Sequence, residues 1–270
     1  MRNKVLYFPY INVPKSVWFT RMLLYWDEVG AIVPYDFIEN PGLLDRHTRS
    51  LVKANLVRQV IPGRYLDQIP AFKESFVDYL ESLGGSLEER RKSFRTRGRS
   101  FRIHMEKMDG LESTLTNMGL ARSSQYPWFQ VEIETAKEFM AYLAATLGQV
   151  EELQLMPVTD DIEHLQEFIS FSSPELMPEK EIAPLRLEIL EDLFPAPSRP
   201  LDASEIENFK RRHSDELAEF RRTVERELIS LADISDENLR KRRIELFKEE
   251  SQEAVEKLKD YMCSCTVYFH

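Results

Sequence analysis

The last third of the chain carries one stripe of apolar positions, and this stripe constrains the fold more than any other feature. Its members recur between residues 206 and 231 at spacings of three or four: Ile206, Phe209, His213, Leu217, Phe220, Val224, Leu228 and Leu231. This period predicts one continuous helix of about seven turns that buries a single face. Ser204 and Glu207 form a capping box that would begin the helix.

A second helix is predicted directly after the stripe. Residues 233–236 read Asp-Ile-Ser-Asp, which ends one helix and caps the next. Apolar positions then continue at helical spacing: Leu239, Phe247, Val255, Leu258 and Tyr261. Because a short turn joins two long helices, residues 203–270 are predicted to form an antiparallel helical hairpin with a short tail. A hairpin of this kind favours contact with a protein partner or with a second copy of the chain.

The first half of the chain predicts a mixed α/β body. Residues 5–8 and 31–34 are short apolar runs typical of strands, and the largely apolar stretch 15–28 between them predicts a buried helix. Strand, helix and strand within about 30 residues match the size of a βαβ unit. Residues 102–108 and 128–134 alternate apolar and polar side chains, which predicts two half-buried strands.

A composition change divides the chain. Residues 172–202 contain six prolines and predict a connector with one short helix at 185–194. The predicted division is a mixed α/β domain at 1–171, an acidic proline-rich connector at 172–202 and a helical hairpin at 203–270. The fold class expected for the whole chain is therefore α+β and rich in helix.

Charge and cysteine content exclude several classes of function. The net charge is −10, and residues 150–202 contain 13 acidic against 3 basic residues, which argues against general coating of nucleic acid. Only two cysteines occur, Cys263 and Cys265, which is a weak metal pattern and indicates a reducing compartment. The most apolar helical stretch contains Arg21, Asp27 and Glu28, so no membrane span is predicted. A cytoplasmic protein with no cofactor is expected.

A basic run between residues 90 and 102 is the strongest candidate binding motif. It contains seven cations: Arg90, Arg91, Lys92, Arg95, Arg97, Arg99 and Arg102. Phe94 and Phe101 are interleaved with them, and arginine forks with aromatic faces suit phosphate groups and bases. The alternative is a solvated surface loop, or one that docks on the acidic segment.

Carboxylates on the predicted strands form the second candidate site. Glu132 and Glu134 share one face of the strand at 128–134, and His104 and Glu106 are expected on a neighbouring strand. Asp160 follows a further predicted strand. Such a set could hold a divalent ion for phosphodiester hydrolysis. The alternatives are an ordinary solvated sheet face for the glutamates and a helix N-cap for Asp160.

Short aromatic motifs give the chain a resemblance to a bacterial family classed as a domain of unknown function. The motifs are Tyr7-Phe8-Pro9-Tyr10, Leu24-Tyr25-Trp26-Asp27, Ile32-Val33-Pro34, Pro157-Val158-Thr159-Asp160 and the helix from Phe209 to Phe220. The resemblance implies a bacterial cytoplasmic accessory protein, associated with phage defence or mobile elements. Two functions are therefore expected: a non-enzymatic interaction protein, or alternatively a metal-dependent phosphodiesterase or nuclease that uses the strand carboxylates and the arginine run.

Overall fold

The structure is a computed structural model that describes residues 4–160 and 182–267. Contacts within the chain divide it into two compact units. The first unit comprises Met1–Val13, Gly30–Arg49 and Val57–Phe171, and the second comprises Pro14–Val29, Ser50–Leu56 and Ser172–His270. The second unit therefore contains two short segments from the first third of the sequence, whereas the predicted division follows chain order.

Strands and helices are mixed over residues 4–160, and the elements described over residues 182–267 are helices. The strands are β1 (Lys4–Tyr7), β2 (Glu28–Ile32), β3 (Arg58–Val60), β4 (Ser100–His104), β5 (Ala121–Ser123), β6 (Trp128–Glu132) and β7 (Met156–Val158). The first eight α-helices are α1 (Val17–Tyr25), α2 (Asp36–Glu39), α3 (Arg46–Lys53), α4 (Phe72–Ser82), α5 (Gly85–Arg97), α6 (Met105–Met108), α7 (Leu111–Asn117) and α8 (Ile133–Gln149). Four more helices follow residue 181: α9 (Ile182–Leu193), α10 (Ala203–Arg212), α11 (Ser214–Ala232) and α12 (Glu237–Val267). This content confirms a mixed, helix-rich α+β fold.

Two small sheets organise the first unit. One has the strand order β3-β2-β1-β7, with β1 parallel to β7 and β2 parallel to β3. The other has the order β4-β6-β5 and is antiparallel, with Ile103 opposite Phe129. Helix α8 contacts β1 and β7 of the first sheet and β4 and β6 of the second. Its apolar residues, such as Phe139 and Leu143, are fully buried, so α8 supplies the core that the two sheets share.

Gly148 fixes the distance between α8 and the segment that leads into β7. A Cβ atom at this position would lie 2.5 Å from the Leu155 carbonyl oxygen and 3.2 Å from Pro157 Cδ. The sequence predicts that Gly148 stops the helix, but α8 continues to Gln149. The residue is a glycine because the backbone of Leu155 approaches the helix closely at this point.

The predicted strand at 128–134 ends two residues early. Burial along β6 does not alternate as predicted, since Val131 and Glu132 are both buried. The Glu132 carboxylate accepts a hydrogen bond from the Thr135 N–H at 2.9 Å and thereby caps α8. A side-chain acceptor at this position satisfies an N–H at the start of the helix, so the chain changes from strand to helix at Glu132. Glu134 consequently lies in the first turn of α8 and does not share a strand face with Glu132.

The predicted C-terminal hairpin is present, with one break in its first helix. α11 and α12 are joined through residues 233–236, and Arg243 of α12 donates to Glu227 of α11 at 2.6 Å. Further from the turn, Phe220 and Phe247 line one groove, so the two helices run antiparallel. The stripe itself is divided at His213, which lies between α10 and α11 and whose ring centroid is 4.8 Å from that of Phe209.

The start of α10 also differs from its prediction. The capping box consists of Asp202 and Glu205, so α10 begins at Ala203, ahead of the predicted cap at Ser204. The predicted connector helix is present as α9, whereas the helix expected to begin at Asp160 falls on residues 161–181, outside the described residues. The side chains of Cys263 and Cys265 also lie outside the described residues.

Cations with matched partners hold the second unit together. Arg186 of α9 donates to both carboxylate oxygens of Glu225 on α11 at 2.7 Å each, and all these groups are buried. Arg221 pairs with Asp27 at 2.9 Å, and Lys210 donates to the carbonyl oxygens of Leu23 and Trp26 at 2.8 and 2.7 Å. The two bonds from Lys210 satisfy carbonyl oxygens at the carboxyl-terminal end of α1, which have no partner within their own helix.

Candidate functional site

A cavity of about 430 Å³ opens in the first unit beside the central strand β1. The segments that follow β1 and β2 form one side, and strands β4 and β6 with helices α6 and α8 form the other. Its lining residues are Pro9, Tyr10, Ile11, Asn12, Phe37, Leu43, Phe101, Arg102, Ile103, His104, Lys107, Trp128 and Met140. The residues after two neighbouring strands of a parallel sheet meet here, which is the usual place for a ligand in an open α/β sheet.

The junction between β4 and α6 brings the polar groups to the cavity. β4 ends at His104, whose side chain caps α6, and the short helix then carries Lys107 inward. Ile103, Lys107 and Leu111 lie in β4, α6 and α7 respectively, and all three are buried. Lys107 is therefore a charged residue type among the buried apolar side chains of this junction.

Lys107 is a buried amine with one hydrogen-bond partner. Its side chain is 3% exposed, and Nζ donates to the Pro9 carbonyl oxygen at 3.2 Å. No carboxylate in the described part of the chain pairs with it. Burial alone lowers the pKa of the Lys107 amine to about 7, because transfer out of water disfavours the charged form. The group is accordingly a mixture of amine and ammonium near neutral pH.

His104 is fixed in one neutral form beside it. Nδ1 accepts a hydrogen bond from the Glu106 N–H at 3.3 Å, so the ring proton lies on Nε2, 3.6 Å from the Asp36 carboxylate. Burial lowers the pKa of the imidazole, although Glu106 and Asp36 act in the opposite direction. Both ring nitrogens are occupied, which indicates that His104 orients the wall of the cavity.

An arginine and a set of aromatic rings form the outer wall. The Arg102 guanidinium lies over the Trp128 ring, 5.1 Å from the centroid, and the described residues give it no carboxylate partner. The rings of Tyr10 and Phe101 lie 5.7 Å apart at 50°. Guanidinium and ammonium groups recognise anions, and aromatic walls recognise flat apolar bodies. The cavity therefore suits a small molecule with both features.

The predicted basic run is distributed over a helix and a strand, and its members point to different partners. Most of the run lies on helix α5, whereas one alternative expected from the sequence is a solvated surface loop. Arg90 donates to the buried Glu138 at 2.5 and 2.6 Å, and Arg91 pairs with Glu88. Lys92, Arg95 and Arg99 are exposed, and the side chain of Arg97 lies outside the described residues. Among the described members, Arg102 alone lines the cavity.

The predicted carboxylates also have separate local partners. Glu132 accepts hydrogen bonds from the backbone N–H and the hydroxyl of Thr135, both at 2.9 Å. Glu134 pairs with Lys137 at 3.4 Å, and Asp160 accepts from the Tyr7 hydroxyl at 3.1 Å. Within residues 4–160 and 182–267, no group of three or more His, Cys, Asp or Glu side chains could hold a metal ion.

A second concave surface lies on the hairpin. A groove of about 340 Å³ between α11 and α12 is lined by Phe220, Phe247 and Leu258 together with polar residues at its rim. Three large apolar side chains elsewhere on these helices are exposed: Ile229 at 52%, Leu239 at 56% and Leu246 at 48%. No helix of the described chain has the length and apolar character required to cross a membrane.

Sequence reasoning selected Arg102 as part of a charged run but missed Lys107. No periodic pattern marks Lys107, because its buried neighbours in sequence, Ile103 and Leu111, lie in the other elements β4 and α7. The motifs that resemble a bacterial family end β1 and α1, and membership of that family stays a prediction. Comparisons of the chain with protein-family models, with curated proteins and with solved structures find no match.

Proposed function

We propose that the first unit binds a small anionic molecule with a flat apolar body, in the cavity beside β1. One observation carries the proposal: Arg102 and Lys107 face the same cavity, and neither is paired with a described carboxylate. A buried cation without a carboxylate is costly, and a bound anion would supply the missing partner. The groups at the site thus favour an anionic ligand over a neutral one.

The dimensions of the cavity support a ligand of modest size. A volume of about 430 Å³ lies within the range of small-molecule sites, which are mostly apolar with a few placed polar groups. Tyr10, Phe101 and Trp128 supply the apolar walls. A substituted benzoate combines a ring with one negative charge, so it is a suitable probe of this recognition.

Calorimetric titration with 4-methylbenzoate tests the proposal. We expect saturable one-to-one binding, and binding weaker by at least about tenfold for the neutral analogue 4-methylbenzamide, since an ionic hydrogen bond contributes about 1.5–3 kcal/mol. Equal binding of both compounds, or binding of neither, would contradict an anion site.

Arg102→Gln and Arg99→Gln form a matched pair for the same titration. Both remove an exposed arginine from the predicted basic run, but only Arg102 lines the cavity. We expect Arg102→Gln to weaken binding of 4-methylbenzoate by about tenfold or more and Arg99→Gln to leave it unchanged. A similar loss in both variants would show that general positive charge attracts the ligand.

A second candidate function is self-association through the hairpin, and it is favoured by the exposed side chains of Ile229, Leu239 and Leu246. We propose a second copy of the chain as the partner. Light scattering coupled to size-exclusion chromatography should then give a dimer that high salt does not dissociate, because the contact is apolar. A monomer, or a dimer that Leu246→Asp leaves intact, would exclude this surface.

Two further expectations from the sequence remain predictions. A metal-dependent nuclease would require Glu132 to leave the N-terminus of α8, where it now caps the helix. Nucleic acid that copurifies would raise the absorbance at 260 nm relative to 280 nm in the same chromatography. A cytoplasmic role in phage defence or on mobile elements is proposed on the resemblance alone.

A further inference from the structure

We infer that Lys107 forms an imine with the carbonyl carbon of an anionic aldehyde or ketone bound in the cavity. This inference rests on the proposed function, because the anion must first be held beside the amine. It goes further by naming the reactive group, the chemical class of the ligand and the bond that forms. A carbonyl ligand would therefore be distinguished from a simple carboxylate by a covalent link to one lysine.

The hydrogen bonding of Lys107 supports a neutral amine with an available lone pair. An ammonium group has three N–H donors and a neutral amine has two, with a lone pair in place of the third. The described residues supply one acceptor, the Pro9 carbonyl oxygen at 3.2 Å. This bond holds one N–H on the β1 side of the cavity, and the lone pair remains free to attack a bound carbonyl group.

Lys210 provides an internal comparison that separates position from acidity. Burial lowers the pKa of both amines, to about 7 for Lys107 and to about 8 for Lys210. The Lys210 amine, however, donates to two carbonyl oxygens at the end of α1, whereas Lys107 lines the cavity. If the position of the amine in the cavity determines its reactivity, the carbonyl ligand reacts with Lys107 in preference to Lys210.

The reaction balances with the carbonyl ligand and a solvent proton. The Lys107 lone pair forms a C–N bond to the carbonyl carbon, and the C=O π pair moves to oxygen. A proton passes from nitrogen to that oxygen, and a second proton from solvent allows it to leave as water. The product is a protonated imine, formed from the neutral amine, the carbonyl compound and one proton, with no change in oxidation state.

Reductive trapping identifies the lysine that reacts. The full chain is incubated near pH 7 with 4-formylbenzoate and sodium cyanoborohydride, which reduces the imine to a stable secondary amine. Peptide mass spectrometry then locates the added carboxybenzyl group. We expect Lys107 to be modified at least about tenfold faster than the exposed Lys92, because the cavity holds the bound aldehyde beside an amine of which a larger fraction is neutral. Lys210 should react no faster than Lys92.

Two controls test whether the bound anion directs the reaction. Benzaldehyde has the same reactive group without the carboxylate, so its selectivity for Lys107 over Lys92 should fall by about tenfold. Arg102→Gln should reduce the selectivity of 4-formylbenzoate to a similar extent, and Arg99→Gln should preserve it. An excess of 4-methylbenzoate should compete with the aldehyde at Lys107 and leave the slow reaction at Lys92 unaffected.

The outcomes separate the imine from the proposed function. Selective modification of Lys107 that 4-methylbenzoate suppresses supports both. Modification that follows solvent exposure, in a protein that still binds 4-methylbenzoate in the calorimeter, overturns the imine and leaves the anion site standing. Modification that follows exposure together with no binding of 4-methylbenzoate overturns both.

Discussion

Lys107 of the first unit and the buried cations of the second unit differ in how fully their hydrogen-bond partners satisfy them. In the second unit, Arg186 has both oxygens of Glu225 at 2.7 Å, and Lys210 has two carbonyl oxygens within 2.8 Å. In the first unit, Lys107 has one carbonyl oxygen at 3.2 Å, and Arg102 lies on an aromatic ring at the cavity. A cation whose N–H donors have acceptors within the protein stabilises the fold, whereas a cation that lacks some of these acceptors is available to a ligand.

This difference in hydrogen-bond partners indicates which charged residues are the best candidates for functional tests. Burial and a lowered pKa are common to Lys107 and Lys210, so neither property separates them. The two lysines differ in their hydrogen-bond partners, and Lys107, unlike Lys210, lines the cavity.

The largest effect is expected from Glu225→Gln. This substitution keeps the shape of the side chain but replaces the buried carboxylate that pairs with Arg186 by a neutral amide. We expect a loss of about 3–5 kcal/mol in the free energy of unfolding, measured by urea denaturation. Glu219→Gln removes an exposed carboxylate that pairs with Arg222 and serves as the control, with no measurable change expected. Equal stability of both variants would show that Arg186 and Glu225 do not act as a structural pair.

The second prediction concerns the pH dependence contributed by Lys107. Its native pKa of about 7 is below the unfolded value, so between these two values the unfolded state holds the proton and the native state releases it. The free energy of unfolding should therefore rise with pH from about 7 to about 10, by at most about 1.4 kcal/mol per pH unit.

Lys107→Met removes this contribution and allows it to be measured by difference. The stability of the wild type relative to Lys107→Met should increase between pH 7 and pH 9, because the wild type no longer holds a buried charge at the higher pH. The shifted group Lys210 is present in both proteins, so its contribution cancels. A difference that is constant over this range would contradict a lowered pKa at Lys107.

The third prediction is that Lys210→Met destabilises the second unit. It removes the donor from the carbonyl oxygens of Leu23 and Trp26, which then lack a partner. We expect a loss of about 1–2 kcal/mol in urea denaturation at pH 7. Lys241→Met, at an exposed position of α12, is the control. A stability equal to that of the wild type would mean that the two bonds only offset the cost of burying the amine.

The smallest effect on stability is expected from Arg102→Gln. Its contact with Trp128 is exposed, so the free energy of unfolding should change by less than about 1 kcal/mol. The affinity for 4-methylbenzoate should nevertheless fall by about tenfold or more, as calorimetry would measure. Comparable losses of stability and affinity would place Arg102 with the structural cations of the second unit.

Local patterns predict much of the fold. The order β1-α1-β2 and the antiparallel hairpin follow from the spacing of apolar residues, because each pattern reflects a buried element or face. The errors occur where a side chain satisfies the backbone. Glu132 ends a strand by capping α8, and Asp202 caps α10 one residue before its first turn. Periodicity predicts which face of an element is buried. It does not predict which side chain accepts the hydrogen bond from the first unpaired N–H groups of a helix.

The candidate site is less predictable because distant segments build it. Arg102 belongs to a charged run in the sequence, but the ring that it contacts, Trp128, lies on the neighbouring strand. The cavity also depends on the segments after β1 and β2. Among residues 4–160 and 182–267, the one acceptor for the Lys107 amine is the carbonyl oxygen of Pro9, which is distant in sequence. A site of this kind results from the arrangement of the strands, so no local motif contains it.

The close approach at Gly148 has a consequence for ligand size. Met140 on the same helix lines the cavity, and Gly148 lets α8 pack closely against the backbone of Leu155, ahead of β7. We therefore expect the α8 side of the cavity to limit the length of a ligand. On the opposite side, residues 9–12 form a loop, and residues 36–43 form the short helix α2 and one turn of 3₁₀ helix between loops. Divergent copies of this chain would be expected to change ligand length through those loops while position 148 remains glycine.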